Sequence, residues 1–144
     1  MKTIYFSGAI TGGREDVAYY KRIVDALEAA GYRVLAGAVA AEHVGAHGEA
    51  LDGNAIFDRD LEWLDAADAV VAEVSKPSTG VGYEIAYARH RRGIPVICLF
   101  RPAWTPRPTA MVRGDRGIEL IAYADGDLDG MLPRLLEALR IKFS

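Results

Sequence analysis

The segment Pro77-Ser78-Thr79-Gly80-Val81-Gly82-Tyr83-Glu84 holds the densest set of residues suited to chemistry. It follows an apolar run and opens a stretch of helical character. Its glycines let the backbone approach a ligand closely, and amides left unpaired at a helix N-terminus favour an anion. Ser78 and Thr79 add hydroxyl donors, so a phosphate suits the ground between Ser78, Gly80 and Gly82. Glu84 is expected in the first turn of a helix over residues 83–92, where the helix dipole favours the ionised carboxylate. Aimed into a cleft, that carboxylate is a nucleophile for an electron-poor sugar carbon. Spacing alone leaves a second reading open, in which Glu84 only stabilises the start of its helix.

Three further groups stand out. Tyr5-Phe6-Ser7-Gly8-Ala9-Ile10-Thr11-Gly12-Gly13-Arg14 runs from a strand-like stretch into a glycine-rich loop, but it matches neither the dinucleotide fingerprint nor the P-loop, whose lysine it lacks. A phosphate loop and a plain tight turn both fit it. Asp60 lies mid-helix among Phe57, Leu61 and Leu64. It is either a second carboxylate in the cleft, dividing acid and nucleophile roles with the first, or part of a solvated helix face. His43 and His47 are spaced for one helical face with Glu42 adjacent, yet no third zinc ligand is evident and the order is not that of the zinc proteases. Trp63 and Trp104 read as packing residues.

Composition sets the bounds. A chain of 144 residues with net charge −3 lacks the basic excess of a nucleic-acid binder, while a small anion needs only a local positive site. One cysteine, Cys98, excludes an internal disulfide, and its apolar surroundings predict a buried, inert thiol in a reducing cytoplasm. No apolar run approaches the length of about 18 residues that spans a bilayer, and no signal peptide is evident. One domain over 1–144 is expected.

Positioning those groups requires a scaffold. Apolar and β-branched runs predict strands at 3–7, 32–35, 69–74, 94–100 and 118–123. Helical periodicity covers 14–30, with Val17, Tyr20, Val24 and Leu27 on one face and Gly31 as a left-handed cap. A second helix runs from an Asn54 N-cap to about residue 65, a third over 83–92 closed by Gly93, and a fourth over 128–139 with Met131, Leu132, Leu135, Leu136 and Leu139 buried. Residues 36–53 are ambiguous, 75–82 read as a turn-rich loop and 101–116, with three prolines, as a long loop. Alternating strands and helices predict a doubly wound, five-stranded parallel α/β sheet, a flavodoxin- or Rossmann-like three-layer sandwich. Right-handed crossovers put the loops beginning at Gly8, Ser75 and Arg101 on one edge, where such sheets bind ligands.

Ile4-Tyr5-Phe6-Ser7-Gly8-Ala9-Ile10-Thr11-Gly12-Gly13-Arg14-Glu15-Asp16, Asp60-Leu61-Glu62-Trp63-Leu64, the 67–74 run, Pro77 through Glu84, Cys98-Leu99-Phe100-Arg101-Pro102 and Ala110-Met111-Val112-Arg113-Gly114 together resemble the 2′-deoxynucleoside 5′-phosphate N-hydrolases, of the nucleoside 2-deoxyribosyltransferase superfamily. The resemblance covers most of the chain in the same order. It implies that Glu84 attacks the anomeric carbon and forms a glycosyl-enzyme. It implies that Asp60 orients the sugar or handles the proton of the departing base, and that Tyr5 lines the sugar pocket. Ser78 and Gly80 match residues that hold the 5′-phosphate, and Thr109, with Met111, falls where the family reaches into a neighbouring subunit's site, which implies a homodimer. Where the family's glycine loop carries a phosphate-contacting serine and arginine, this chain has Ala9 and Thr11, and loses a bidentate clamp. The resemblance implies a small-molecule nucleotide as partner, no metal or organic cofactor, and base transfer as the nearest alternative to hydrolysis. A nucleotide-binding module without catalysis is a reading from another class, set apart by the Glu84 and Asp60 pair that a pure binder does not need.

Overall fold

Five strands form one parallel sheet in the order β2-β1-β3-β4-β5. They are β1 (Thr3–Gly8), β2 (Arg33–Leu35), β3 (Ala69–Glu73), β4 (Val96–Phe100) and β5 (Ile118–Ala122). The computed structural model describes residues 1–10, 16–36 and 52–144. The expected doubly wound α/β architecture is what the chain adopts. Register runs Ile4 to Ala69 through Gly8 to Glu73 between β1 and β3, and Val70 to Val96 through Glu73 to Leu99 between β3 and β4. Strand order reverses between β1 and β3, so a crevice opens beyond their carboxyl ends, the ligand position of flavodoxin-like sheets.

Residue alternation builds the two outer layers. Ile4, Phe6, Val71, Ile97 and Leu99 face one side and pack against Tyr20, Ile23 and Leu27 of α1 (Val17–Ala29) and Met131, Leu135 and Leu139 of α5 (Leu128–Lys142). Tyr5, Val70, Ala72, Val96 and Cys98 face the other and meet Leu64 of α2 (Gly53–Ala66) and Val81 and Ile85 of α3 (Thr79–Ala86). Because β1 is buried along its whole length, its alternate residues Tyr5 and Ser7 are committed to the α2–α3 layer. Cys98 is fully buried as expected, and burial pushes its thiol up to about 12.

Several boundaries differ from expectation. The N-cap of α2 is Asp52, whose carboxylate accepts from the Ala55 amide at 2.8 Å; Asn54 is already inside the helix. An aspartate two residues upstream serves as well as an asparagine, and the pattern alone does not separate them. Residues 75–82 are not all loop: Ser78 caps α3, accepting from the Val81 amide at 3.3 Å, and the helix starts at Thr79 despite Gly80 and Gly82. Within the expected long loop, Ala110–Arg113 forms one helical turn, α4. The buried stripe of α1 uses Ile23, with Val24 only partly covered, and α5 runs on to Lys142. Gly31 and Gly93 take the left-handed conformation at φ 97° and 65°. Between α3 and Gly93 the chain widens into a π-helix, Tyr87–Arg92, from which the Arg92 guanidinium donates to the Leu64 and Ala67 carbonyls and so caps α2.

Candidate active site

The site forms where β1 and α3 meet across the crevice. The Tyr5 hydroxyl donates to one carboxylate oxygen of Glu84, and Ser7 Oγ donates to the other at 2.9 Å. Both donors come from alternate positions of one strand, so their spacing is set by the strand repeat. Asp60 reaches the same place from α2. Arg59 Nε and Nη2 both donate to Asp60 Oδ1, at 3.0 and 2.9 Å. A recess of about 40 Å³ holds Tyr5, Ser7, Arg59, Asp60 and Glu84 on its walls. It adjoins an open cavity of about 470 Å³ walled by Gly8, Ile10, Asp60, Ser78, Gly80 and Glu84, with Phe57 and Tyr83 at its mouth. That volume suits a small organic ligand.

The electrostatics differ from the sequence expectation. With α3 starting at Thr79, Glu84 lies in its second turn, beyond the reach of the strongest dipole effect. Burial instead dominates and raises its pKa. The hydrogen bonds from Tyr5 and Ser7 act the other way, Asp60 raises it further, and Arg59 lowers it. Burial and the neighbouring Glu84 charge in turn push the Tyr5 phenol above its ordinary range. Tyr5 therefore stays a neutral donor, and the pair supports a carboxylate with weakened solvation and fixed orientation.

Ser78 and Gly80 line the cavity beside Glu84. Gly82 and Thr109 line a second cavity of about 380 Å³ on the other side of the Ser78–Val81 turn, together with Lys76, Thr105 and Arg107. Met111 projects from α4 and is 83% exposed. Neither Thr109 nor Met111 walls the Glu84 cavity of its own chain. Gly8 and Ile10 line that cavity, whereas Ala9 is buried and accepts from the Tyr20 hydroxyl at 3.3 Å. Thr11, Gly12 and Arg14, and the histidine pair His43 and His47, lie outside the described residues. Among the described residues no group of three His, Cys, Asp or Glu is placed to hold a metal.

Sequence reasoning passed over Arg59, Phe57 and Tyr83 as site residues. Position was the available signal: Phe57 and Asp60 are three apart on α2 and share a face. It also passed over Arg101, which is 1% exposed at the end of β4. Its guanidinium donates to Asp16 at 2.6 Å and to Ser75 Oγ at 3.1 Å, and lies 3.4 Å from Glu73. Arg101 thus ties the residue preceding α1 to the turn that leads from β3 to Ser78.

The fold and site define a flavodoxin-like α/β protein with two carboxylates at the switch point of its sheet. The chain belongs to the nucleoside 2-deoxyribosyltransferase family, whose model matches residues 4–120. It is 44% identical over 142 residues to the 5-hydroxymethyl-dUMP N-hydrolase of Homo sapiens, covering 94% of this chain and 79% of that one. It is 42% identical over 142 residues to the enzyme of the same name from Esox lucius, covering 94% and 97%. Among solved structures, the Clostridium botulinum CMP N-glycosidase has the same fold, with a TM-score of 0.63 at 18% identity over 93% of this chain and 98% of that one.

Proposed function

We propose that this protein is a hydrolase that cleaves the N-glycosidic bond of nucleoside 5′-monophosphates, releasing the free base and a sugar 5-phosphate. One observation carries the reading: the Glu84 carboxylate, gripped by Tyr5 and Ser7, shares a recess with Asp60 beside an open cavity. The relatives named as nucleotide N-hydrolases support the same chemistry. In this reading Glu84 attacks C1′ as the C1′–N bond breaks, and the base leaves with the bonding electron pair and takes up a proton. Asp60 orients the sugar or handles that proton. Water then attacks C1′ from the base side and gives up a proton, which replaces the one taken by the base. The C1′–Glu84 oxygen bond breaks, the carboxylate is freed and configuration is retained overall.

The 5′-phosphate is assigned to the turn around Ser78, Gly80 and Gly82 and to the glycine segment from Ser7 through Ile10, Thr11 and Gly12 to Arg14. Within that turn the Val81 and Gly82 amides already donate to Ser78, so the start of α3 turns only its remaining amides towards the anion. Ala9 and Thr11 supply neither a hydroxyl donor at the first position nor a guanidinium at the second, so the Ser78 turn carries more of the phosphate binding. The chain works as one domain over residues 1–144, in the cytoplasm, with no metal or organic cofactor. It forms a homodimer in which Thr109 and Met111 reach the neighbouring subunit's site; the strong exposure of Met111 supports that arrangement. Among the described residues no helix is long and apolar enough to cross a membrane.

A panel of ribo- and deoxyribonucleotides, each with and without its 5′-phosphate, tests the reading by the base it liberates. Release from 5′-monophosphates is expected. Exchange of one base for another on an unphosphorylated deoxynucleoside would instead mark a transferase. Saturable binding with no base release would mark a nucleotide-binding module.

A further inference from the structure

Arg59 has no role in the reading above, yet it stands inside the site. Its guanidinium places two nitrogens on Asp60 Oδ1 and lies 4.8 Å from the centre of the Trp63 ring, one turn further along α2. Its side chain is three-quarters buried. A planar fork held on a carboxylate and stacked on an indole has a fixed orientation, which an ammonium on a flexible stem does not reproduce.

The recess presents an electrostatic difficulty that this residue answers. Two carboxylates sharing a low-dielectric site oppose each other's ionisation, and one of them tends to keep a proton. The charge on Asp60 works against the anionic form of Glu84, and the charge on Arg59 works for it. The side chains that act most strongly on Glu84 are Tyr5 and Ser7 from β1 and Arg59 and Asp60 from α2, while Ser78 and Thr79 of the α3 start line the same cavity. Arg59 is the cation in that set.

We propose that Arg59 is a positioning residue for the N-glycosidic cleavage: its guanidinium fixes the Asp60 carboxylate at the sugar-facing wall and offsets its charge, so that Glu84 remains an anion beside it. The inference rests on Glu84 being the nucleophile. The sequence carries the requirement in adjacent letters, Arg59-Asp60, with Trp63 at the spacing that lets its ring meet the guanidinium.

The experiment measures kcat and kcat/KM for a deoxynucleoside 5′-monophosphate from about pH 5 to about pH 9. It compares the wild-type protein with Arg59→Met, Arg59→Gln and Arg59→Lys, with Glu84→Gln as reference and rates referred to folded protein by thermal melts. In Arg59→Met the acid limb of kcat/KM should move up by about one pH unit, an about tenfold loss on the acid side, with a smaller loss above the limb. Arg59→Gln should behave alike and serves if the methionine variant folds poorly. Arg59→Lys should return the limb towards the wild-type position while kcat stays low, since charge is restored and the fork is not. A merely structural role would scale all rates equally and leave the limb in place, and that result would overturn the proposal. If Glu84→Gln turned over at the wild-type rate, the nucleophile assignment would fall and this inference with it. If Glu84→Gln were inactive and the arginine variants kept the wild-type profile, this inference alone would fall.

Discussion

Tyr5 on the first strand donates its hydroxyl to Glu84 on the helix that follows the third, joining two residues 79 positions apart across the switch point of the sheet. The strand residue is 5% exposed and its phenol stays protonated, so the bond is a fixed, neutral donation to a carboxylate whose anionic form burial disfavours. Tyr5→Phe removes one of the two hydroxyls that favour the Glu84 anion. The acid limb of kcat/KM should therefore move to higher pH, and kcat should fall about tenfold. A pH–rate profile of the variant checks both; an unmoved limb would deny Tyr5 this role.

Glu84→Gln should lower base release by at least about a thousandfold, as loss of a covalent nucleophile does. The same change should raise Tm at neutral pH. The sign follows from linkage: a carboxyl whose folded pKa is raised contributes its stability below the ordinary carboxylate range of about pH 4, and loses it as pH rises through the folded value. The glutamine variant carries no buried charge above that point, so its Tm advantage should vanish on acidification. Calorimetry at both pH values tests this, and a destabilised glutamine variant at neutral pH would contradict it.

Arg101 lies fully buried between Asp16 and Glu73, with Asp125 at 3.3 Å and its guanidinium 4.5 Å from the Tyr19 ring centre. Arg101→Met leaves buried carboxylates facing an apolar side chain, and should cost about 3–5 kcal/mol of stability. Burial already raises the Glu73 pKa, so Glu73→Gln should be far milder. Denaturant titration of both variants gives the comparison, and equal losses would mean that charge compensation is not what the arginine supplies.

Gly8 ends the first strand against the ring of Tyr20, where an added Cβ would sit 2.9 Å from Cζ. Gly8→Ala should force that ring aside, break its bond to the Ala9 carbonyl and cost about 1–3 kcal/mol, read as a lower Tm. Because Gly8 also walls the ligand cavity, KM for the nucleotide should rise in the same variant.

By itself the sequence determined the order of strands and helices, the parallel sheet and the edge that carries the site. Those features follow from short-range signals: continuous apolar runs for covered strands, helical periodicity, and glycines such as Gly31 and Gly93 at left-handed caps. Residue types and local spacing also marked Asp60, Ser78 and Glu84 as candidates, while Tyr5 entered only through the family resemblance. The tertiary structure decided the rest. The start of α3 at Thr79 depends on the Ser78 cap, against glycines that locally disfavour a helix. The protonation preference of Glu84 is set by burial and by residues from β1 and α2, none of which is near it in the chain. Arg101 reads as the opening of a loop, yet its partners Asp16, Ser75 and Asp125 converge on it only when three strand ends lie side by side. Periodicity reports which face of an element is covered; which charges meet beneath that cover is fixed by the packing of the layers.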